Sequence, residues 1–446
     1  MSFLSEIPLI GGVLGTVIPF LLLLGIVVFV HEYGHYIVGR WCGIKAETFS
    51  IGFGKRIFGW TDRHGTVWQV AILPLGGFVK FVGDMDPAGA RKSDEGLSEE
   101  DRRQAFHNAS IRARALTVVA GPMANFLLSI VLFAGIAFAI GQVSEEPVVG
   151  GVDPQYAETL PLQPGDRVLR VDGGRVETWS EAISALQRAN GAAIEVEIRR
   201  DGSQQIVTAT YRHEPIVAQI QPGYPAAQAG ITAGDRILSL NGTAVDSFHD
   251  LRLVTADLPL NTEVEVEVDR AGETLSFRFT PDVVTRMHPE TDEMVDQATM
   301  GVSAPSFGGL SASFESRSFG SALLYGVDRT WGVIVTTMTF LGDMIFTNAD
   351  TSQLGGPIGI AQVSAAQAEA GIANFISLVA LLSTSIGLLN LFPIPILDGG
   401  HLMFYTVEAV RGRPLGERWM NAAMAVGLSL VLLLMGFATY NDLTRL

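Results

Sequence analysis

Cysteine and positive charge are both scarce in this sequence of 446 residues. Cys42 is the only cysteine, which excludes an intrachain disulfide and a cysteine-rich zinc site. The 30 lysine and arginine residues face 46 aspartate and glutamate residues, and the net charge of −16 argues against nucleic acid as a partner. No lysine or arginine precedes Arg40, so the N-terminal segment lacks the basic region of a cleavable signal peptide, and we expect it to remain in the mature protein.

Charged residues of either sign make up only 17% of the chain, against 48% hydrophobic residues, and the mean hydropathy is +0.31. These values indicate an integral membrane protein with some soluble mass and roughly two to four domains. We predict a multi-pass α-helical membrane protein with four transmembrane helices, membrane-associated β-hairpins and two inserted β-rich domains. The predicted segments are a first transmembrane helix (1–40), a membrane-associated β-hairpin element (41–83), a polar loop (84–114), a second transmembrane helix (115–141), two soluble β-rich domains (145–212 and 213–283), an interfacial amphipathic helix (319–346), a third transmembrane helix with the segment after it (372–401) and a fourth transmembrane helix (419–440).

The first apolar stretch ends in His31-Glu32-Tyr33-Gly34-His35, an instance of H-E-x-x-H. On a helix the two histidines lie one turn apart on the same face, so both imidazoles can bind one Zn²⁺. Glu32 then lies beside the metal without being a ligand, as a general base that acts on water should. The pentapeptide also arises by chance in structural roles, but ionisable groups at membrane depth are costly and rarely lie there without a function. We therefore predict a metal site at His31 and His35, with Glu32 as the catalytic base.

A second unusual stretch, Asn-Leu-Phe-Pro-Ile-Pro-Ile-Leu-Asp-Gly-Gly at 390–400, follows the third apolar run. Its two prolines must interrupt the helix, and its paired glycines allow a tight turn. A carboxylate on broken backbone at membrane depth is expected to face protein or a polar cavity. Asp398 is thus the predicted third metal ligand, with the fourth position left for water. The alternative is that Asp398 only caps a helix that begins near His401.

Residues 41–83 contain short β-rich runs that are too apolar to be fully solvated, and we place them against the membrane. An exposed strand edge there can pair with an extended peptide. Gly77, Phe78 and Val79, in the last of these runs, are the candidate residues for that contact. The alternative is a small hairpin that merely packs on the helices.

The second apolar stretch contains Gly-Pro-Met-Ala-Asn at 121–125. Asn125 is a polar group inside an apolar helix, and it therefore needs an interhelical partner. Its predicted role is either to hold helices together or to line the active site.

Residues 145–283 are acidic and soluble in character, and they contain an internal repeat. The stretch 162–173 returns as 231–242, each copy with a Gly-Asp turn, a strand, a second turn and then a helical stretch. Two copies in this order resemble tandem PDZ domains, whose groove takes up peptide ends or strands by β-addition. Gly223 and Tyr224 are the candidate groove residues of the second copy, whereas the first copy matches less well there.

Basic residues near the apolar stretches predict the orientation of the chain in the membrane. They lie between the first and second stretches and between the third and fourth, at Arg40, Lys45, Lys55, Arg56, Arg112, Arg114, Arg411, Arg413 and Arg418. These loops are therefore predicted to be cytoplasmic, with the soluble repeats on the other side. The H-E-x-x-H segment and the 390–400 segment then both fall toward the cytoplasmic leaflet, where they can share one metal.

The H-E-x-x-H motif, the 121–125 segment, the PDZ-like copies and the 390–400 segment together resemble the bacterial site-2 proteases over essentially the whole chain. The resemblance implies zinc held by His31, His35 and Asp398, with Glu32 as the base. It also implies that the hairpins clamp substrate. The residues that it implies for shaping the site and binding the unwound substrate helix are Asn390, Pro393 and Pro395.

The same resemblance implies intramembrane proteolysis in a bacterial inner membrane, with the active site near the cytoplasmic side and the PDZ pair in the periplasm. The implied substrates are single-span proteins already trimmed outside, such as anti-sigma factors of the envelope stress response, and remnant signal peptides. Two other classes stay open. One is a non-catalytic receptor that binds extracytoplasmic peptides through its PDZ domains, and the other is a zinc enzyme that is not a protease.

Overall fold

The computed structural model describes residues 10–83, 98–221, 224–287, 294–304, 309–315, 317–346 and 356–444. Its helices are α1 (Ile10–Trp41), α2 (Glu99–Arg103), α3 (Ile111–Ala139), α4 (Trp179–Ala189), α5 (Pro225–Ala229), α6 (Phe248–Ala256), α7 (Phe319–Phe346), α8 (Pro357–Ala370), α9 (Ile372–Asn390), α10 (Asp398–Arg411) and α11 (Glu417–Thr444). Its strands are β1 (Ala46–Thr61), β2 (Val67–Phe81), β3 (Gln142–Val143), β4 (Val149–Val152), β5 (Arg167–Val171), β6 (Gly174–Arg175), β7 (Ile194–Arg200), β8 (Ser203–Ala209), β9 (Gln219–Ile220), β10 (Arg236–Leu240), β11 (Thr243–Ala244), β12 (Val264–Arg270), β13 (Glu273–Phe279), β14 (Asp282–Met287), β15 (Met294–Thr299), β16 (Val302–Ser303), β17 (Leu310–Ala312) and β18 (Phe314–Glu315). Residues 1–9 of the first predicted segment, 84–97 of the predicted loop, and Gly223 lie outside the described residues.

The chain divides into two compact units. The helical unit contains Met1–Ala139 and Arg317–Asp442, and the β-rich unit contains Ile140–Ser316 with Leu443–Leu446.

Within the described residues, four helices are long and apolar enough to cross a membrane. Their candidate spans are Gly15–Trp41, Ile111–Ala139, Ile372–Asn390 and Arg418–Leu443. They correspond to the four transmembrane helices predicted from the sequence, so that part of the predicted fold class is confirmed. Helix α7 covers the stretch predicted as amphipathic, and its position at the membrane interface stays a prediction.

Helices α1, α3 and α9 pack closely because small residues lie where they cross. A Cβ atom on Gly34 of α1 would collide with the backbone oxygen of Ala120 in α3, and one on Gly387 of α9 would lie 3.1 Å from the Asn125 Cβ. Ser383 Oγ of α9 donates a hydrogen bond to the Asn125 backbone oxygen at 2.9 Å. Close backbone approach and interhelical hydrogen bonds are the main sources of helix association in lipid.

Strands β1 and β2 form one strongly curled sheet. Residues 48–51 of β1 pair with 77–80 of β2 on one side and with 67–70 on the other, while 56–61 pair with 67–71. The outermost segments of the sheet are therefore 56–61 and 77–80. Gly52, with φ of +88°, lies where β1 bends, a conformation that glycine adopts without strain.

The sheet packs against α1 through aromatic side chains. The Phe49 ring is buried and stacks on Trp68 with 4.3 Å between ring centroids, and it meets the Tyr36 ring of α1 edge-on at 5.9 Å. The other end of the sheet carries exposed apolar side chains, namely Phe53, Ile57, Phe58, Ile72 and Leu73, and Trp60 is exposed beside Trp68. An exposed apolar patch of this kind is typical of a membrane contact.

The predicted break after the third apolar run lies between Asn390, the last residue of α9, and Asp398, the first residue of α10. The two glycines after Asp398 are required by the packing of this turn. A Cβ atom on Gly399 or on Gly400 would collide with backbone carbonyl groups of residues 391–394. The turn therefore folds tightly against the start of α10.

The β-rich unit contains two four-stranded sheets of the same order, β6-β5-β7-β8 and β11-β10-β12-β13. Each repeat also places the aspartate of its Gly-Asp turn against an arginine: Asp166 with Arg200 and Asp235 with Arg270, both in two-point contacts of 2.6–2.7 Å. The repeat seen in the sequence thus corresponds to a duplicated local structure. That these repeats are PDZ domains stays a prediction.

Candidate metal centre and active site

Helix α1 places the His31 and His35 imidazoles side by side, as the spacing of four residues predicts. Their Nε2 atoms lie 3.2 Å apart. Both side chains are largely buried, with exposed fractions of 11% and 12%. Two such nitrogens facing one point are a typical pair of zinc ligands.

Asp398 joins the two histidines although it lies more than 360 residues further along the chain. Its Oδ2 is 3.2 Å from His31 Nε2 and 3.5 Å from His35 Nε2. The alternative role as a helix cap is not what the structure shows, since Leu397 is the N-cap residue of α10 and Asp398 is the first residue inside the helix. Asp398 Oδ2 is also buried without a hydrogen-bond partner, as expected of an oxygen whose role is to bind a cation.

The three ligand atoms fit tetrahedral zinc. Zinc binds histidine nitrogen and carboxylate oxygen at about 2.0–2.2 Å, and tetrahedral angles then separate two ligand atoms by roughly 3.3–3.5 Å. The observed separations of 3.2, 3.2 and 3.5 Å agree with that value. Three protein ligands leave one position open, which is the pattern of catalytic rather than structural zinc sites.

Helix α3 holds the far side of both imidazoles. His35 Nδ1 lies 2.9 Å from the Thr117 backbone oxygen, which can only accept, so Nδ1 carries the proton and Nε2 is free to bind metal. His31 Nδ1 lies 3.2 Å from the side-chain amide of the fully buried Asn125. When Nε2 of His31 binds metal, Nδ1 must donate, which requires the amide oxygen of Asn125 on that side.

Glu32 lies between the candidate metal ligands and the edge segment 77–80 of the sheet. The Val79 backbone amide forms a hydrogen bond with the Glu32 carboxylate. A Cβ atom on Gly77 would lie 3.1 Å from Glu32 Cγ and 2.8 Å from a methyl of Val28. Glycine at position 77 therefore allows the sheet edge to approach the predicted base.

The structure places the other predicted substrate-binding residues on the segment that leads to Asp398. Asn390 is half-buried at the end of α9, and Pro393 is exposed in the turn. Pro395 is half-buried, and its ring lies against Gly427 of α11. A Cβ atom added to Gly427 would be 3.2 Å from that ring. Their contact with substrate stays a prediction.

The predicted groove residues of the second repeat are separated from this site in the chain. Gly223 lies outside the described residues. Tyr224 is the N-cap of α5, and its ring fills the space beside Gly301, where a Cβ atom would collide with it. Tyr224 therefore packs inside its own repeat, and its binding of peptide stays a prediction.

Sequence reasoning missed Thr117 and Gly121. A Cβ atom on Gly121 would collide with the His35 imidazole, so only glycine leaves room for that ligand. The available signal was the spacing of Gly121 and Asn125, four residues apart on one face of an apolar helix. Thr117 contributes only its backbone oxygen, for which the residue type gives no signal.

Comparison with known proteins gives a family for this chain. Residues 19–434 match peptidase family M50. A protein of Agrobacterium fabrum (strain C58) named as a zinc metalloprotease is 36% identical over 441 residues, covering 98% of this chain and 97% of the relative. Protease RseP of Yersinia pestis is 34% identical over 465 residues, covering 98% of this chain and 100% of the relative. Regulator of sigma-E protease RseP of Salmonella typhimurium is 32% identical over 467 residues, with the same two coverages of 98% and 100%.

The matched range spans both units. Because the matched residues exceed nine-tenths of the chain, the chain belongs to peptidase family M50, the site-2 proteases, and it is a membrane-embedded zinc metalloprotease.

Proposed function

We propose that this protease holds its zinc with His31, His35 and Asp398 and uses Glu32 as general base to cleave the membrane-spanning segments of other proteins. The observation that carries the proposal is the convergence of Asp398 Oδ2 on both imidazole Nε2 atoms within 3.5 Å, with the two histidines inside the first candidate span and Asp398 at the start of α10, eight residues after the third span. Ionisable groups at membrane depth are costly and are therefore rarely found there without a function.

Glu32 is suited to move protons at the scissile bond. When bound, zinc supplies a Lewis acid that polarises the scissile carbonyl and makes coordinated water acidic. Glu32 takes the proton of the attacking water and delivers it to the leaving amine nitrogen. The hydrogen bond from the Val79 amide orients the carboxylate for both transfers.

The edge segment 77–80 is proposed to hold the substrate extended beside Glu32. Val79 of this segment pairs with Phe49 of the inner strand, and its backbone amide forms the hydrogen bond with Glu32. A substrate helix hides its carbonyl groups and must unfold before attack. Pairing with this edge by β-addition replaces the helical hydrogen bonds, and it uses the backbone groups of Gly77, Phe78 and Val79 other than the Val79 amide, which contacts Glu32.

Water must reach the site from the cytoplasmic side in this proposal. Basic residues flank the cytoplasmic ends of the helices, with the PDZ pair in the periplasm of a bacterial inner membrane. The exposed apolar end of the β1–β2 sheet then enters the lipid next to the site.

We propose pre-trimmed single-span proteins as substrates, with membrane-bound anti-sigma factors first and remnant signal peptides second. Two of the relatives are named as RseP, one of them as a regulator of sigma-E protease. The two β-rich repeats, as PDZ domains, would dock peptide ends or exclude substrates that have not been trimmed.

Glu32→Gln tests the proposal because glutamine keeps the volume of glutamate but cannot take a proton. We expect cleavage of a co-expressed, pre-trimmed anti-sigma factor to fall by about 10²–10⁴-fold, while the zinc content of the purified protein stays that of the wild type. The matched control is Glu99→Gln, at an exposed carboxylate of α2, which should cleave normally. Cleavage by Glu32→Gln at the wild-type rate would contradict the role of Glu32. A wild type that never cleaves the trimmed anti-sigma factor would contradict the proposed substrate.

A further inference from the structure

One face of α3 contacts both histidine ligands of the metal site. Thr117, Gly121 and Asn125 are spaced four residues apart, so they lie along one side of the helix. Thr117 and Asn125 contact the imidazoles, and Gly121 leaves room for one of them. Arg114, one turn before Thr117, continues the same face toward the start of α3.

Arg114 contacts α10, the helix that carries the third ligand. Its guanidinium donates to Glu408 Oε1 at 2.7 Å and to Glu408 Oε2 at 3.2 Å. The side chains of Arg114 and Glu408 are only 14% and 16% exposed. The guanidinium also lies 5.0 Å from the ring centre of Tyr405, one turn away on α10. Two-point arginine–carboxylate contacts fix direction as well as distance.

Helix α10 can transmit this constraint to Asp398. Asp398 is its first residue and Glu408 lies ten residues later, which corresponds to about 15 Å of helix rise. The start of the helix is held by the tight turn at 391–397 against Gly399 and Gly400. A short helix fixed at both ends has little freedom to move the carboxylate at its first residue.

We propose that Arg114 is a positioning residue of the metal site, which acts through Glu408 and Tyr405 to keep the Asp398 carboxylate against His31 and His35. This inference rests on the proposed ligands His31, His35 and Asp398. With it, a single helix, α3, orients all three ligands: two by direct contact and the third through α10.

The form of the interaction predicts how variants combine. Arg114→Gln leaves the buried Glu408 carboxylate without its charged partner. Glu408→Gln likewise leaves the buried Arg114 guanidinium without a carboxylate. Each single change is therefore expected to disturb α10. The double variant removes both charges and leaves no unpaired one. The effects of the two single changes should therefore not add.

The test measures zinc release from the purified full chain in detergent, with a chelator in excess. We expect Arg114→Gln and Glu408→Gln each to shorten the half-life of bound zinc about tenfold. The double variant should recover to within about threefold of the wild type. With cobalt(II) in place of zinc, the visible absorption of the tetrahedral ion should weaken in the single variants and recover in the double one.

Two further variants complete the test: one controls for general destabilisation, and the other tests the proposed ligand set. Arg200→Gln breaks a similar two-point pair with Asp166 in the β-rich unit and should lower the unfolding temperature without changing zinc release. His31→Ala should lose zinc outright, and if it does not, the proposed ligand set fails. Two results would overturn the positioning role of Arg114 without affecting the proposed ligand set. One is folded Arg114→Gln protein with the zinc release and cobalt spectrum of the wild type, and the other is additive effects in the double variant.

Discussion

At the scale of single residues, the proposed metal site depends on groups that are not among its ligands. The Thr117 backbone oxygen fixes the ring of His35, and the Asn125 amide fixes the ring of His31. Asn125 is itself held by α9, since Ser383 donates to its backbone oxygen. Such outer contacts select the tautomer of each ligand and raise its basicity.

Asn125→Ala should therefore weaken zinc binding while leaving all three ligands in place. Loss of an outer partner of a ligating histidine typically costs 10–100-fold in metal affinity or activity. We expect a zinc dissociation constant that is larger by that factor, measured by competition with a chelator of known affinity. Ser129→Ala, one turn further along α3, removes hydrogen bonds to the backbone oxygens of Ala380 in α9 and of Asn125 but leaves the Asn125 side chain against His31, so it should leave the constant unchanged. An unchanged constant in Asn125→Ala would mean that Asn125 only holds helices together.

At the scale of elements, the Asp62 carboxylate makes one of the contacts that join the curled sheet to α1. Its Oδ2 accepts hydrogen bonds from Tyr36 Oη of α1 at 2.9 Å and from Trp68 Nε1 at 3.1 Å. Its Oδ1 accepts from the backbone amides of His64 and Thr66 at 2.8 and 3.0 Å. Asp62 thus orders the turn between β1 and β2 and ties it to the helix that carries the predicted base.

These contacts make the attachment of the sheet sensitive to acid. Burial raises the pKa of Asp62, but the hydrogen bonds from Trp68, Thr66, His64 and Tyr36 outweigh it and lower the pKa from 3.8 to about 2. A carboxyl group whose pKa is lower in the folded state stabilises the fold above its ordinary pKa. That stability is lost as the pH falls through the folded value.

We expect hydrogen-exchange protection of β1, corrected for intrinsic exchange, to fall as the pH is lowered from about 4 to about 2. Asp62→Asn should have lower protection at neutral pH and no such dependence in that window. Glu47→Gln, which alters a looser pair with Lys80 at 3.8 Å in the same sheet, should keep the dependence of the wild type. The same acid-dependent loss in Asp62→Asn would show that another group is responsible.

At the scale of the whole molecule, the features that could be predicted from the sequence are those that depend on local periodicity. The spacing of His31 and His35 and the four apolar runs of span length follow from helix geometry alone. Asp398 needed a further argument, that a carboxylate on broken backbone at membrane depth must face protein.

What the sequence did not predict depends on contacts between distant residues. The need for glycine at position 121 exists only because the His35 ring lies there, and Thr117 contributes an atom that every residue has. The curl of the β1–β2 sheet pairs 48–51 with two separate parts of β2, which no alternation of polar and apolar residues encodes. The ring of Tyr224 packs beside Gly301, 77 positions away, so its local turn pattern did not reveal that contact.

Only 6% of the most apolar window of the C-terminal helix α11 is buried. Two contacts hold this helix: Gly427 lies against the 391–397 turn, and near the helix end Asp442 accepts hydrogen bonds of 2.8–3.0 Å from the amides of Gly356, Ile358 and Gly359, at the beginning of α8.

Asp442 is 5% exposed, and its carboxylate satisfies amides that open a helix and have no partner within it. Asp442→Ala leaves those amides buried and unpaired, so we expect the free energy of unfolding in mixed detergent micelles to fall by about 1–3 kcal/mol. Hydrogen exchange should rise in α8. Thr439→Ala, one turn earlier on the exposed side of α11, should change the free energy by less than about 0.5 kcal/mol. If Asp442→Ala matches that control, α11 is held by its contact with the 391–397 turn, and the segment that positions Asp398 is then also the main anchor of the last helix.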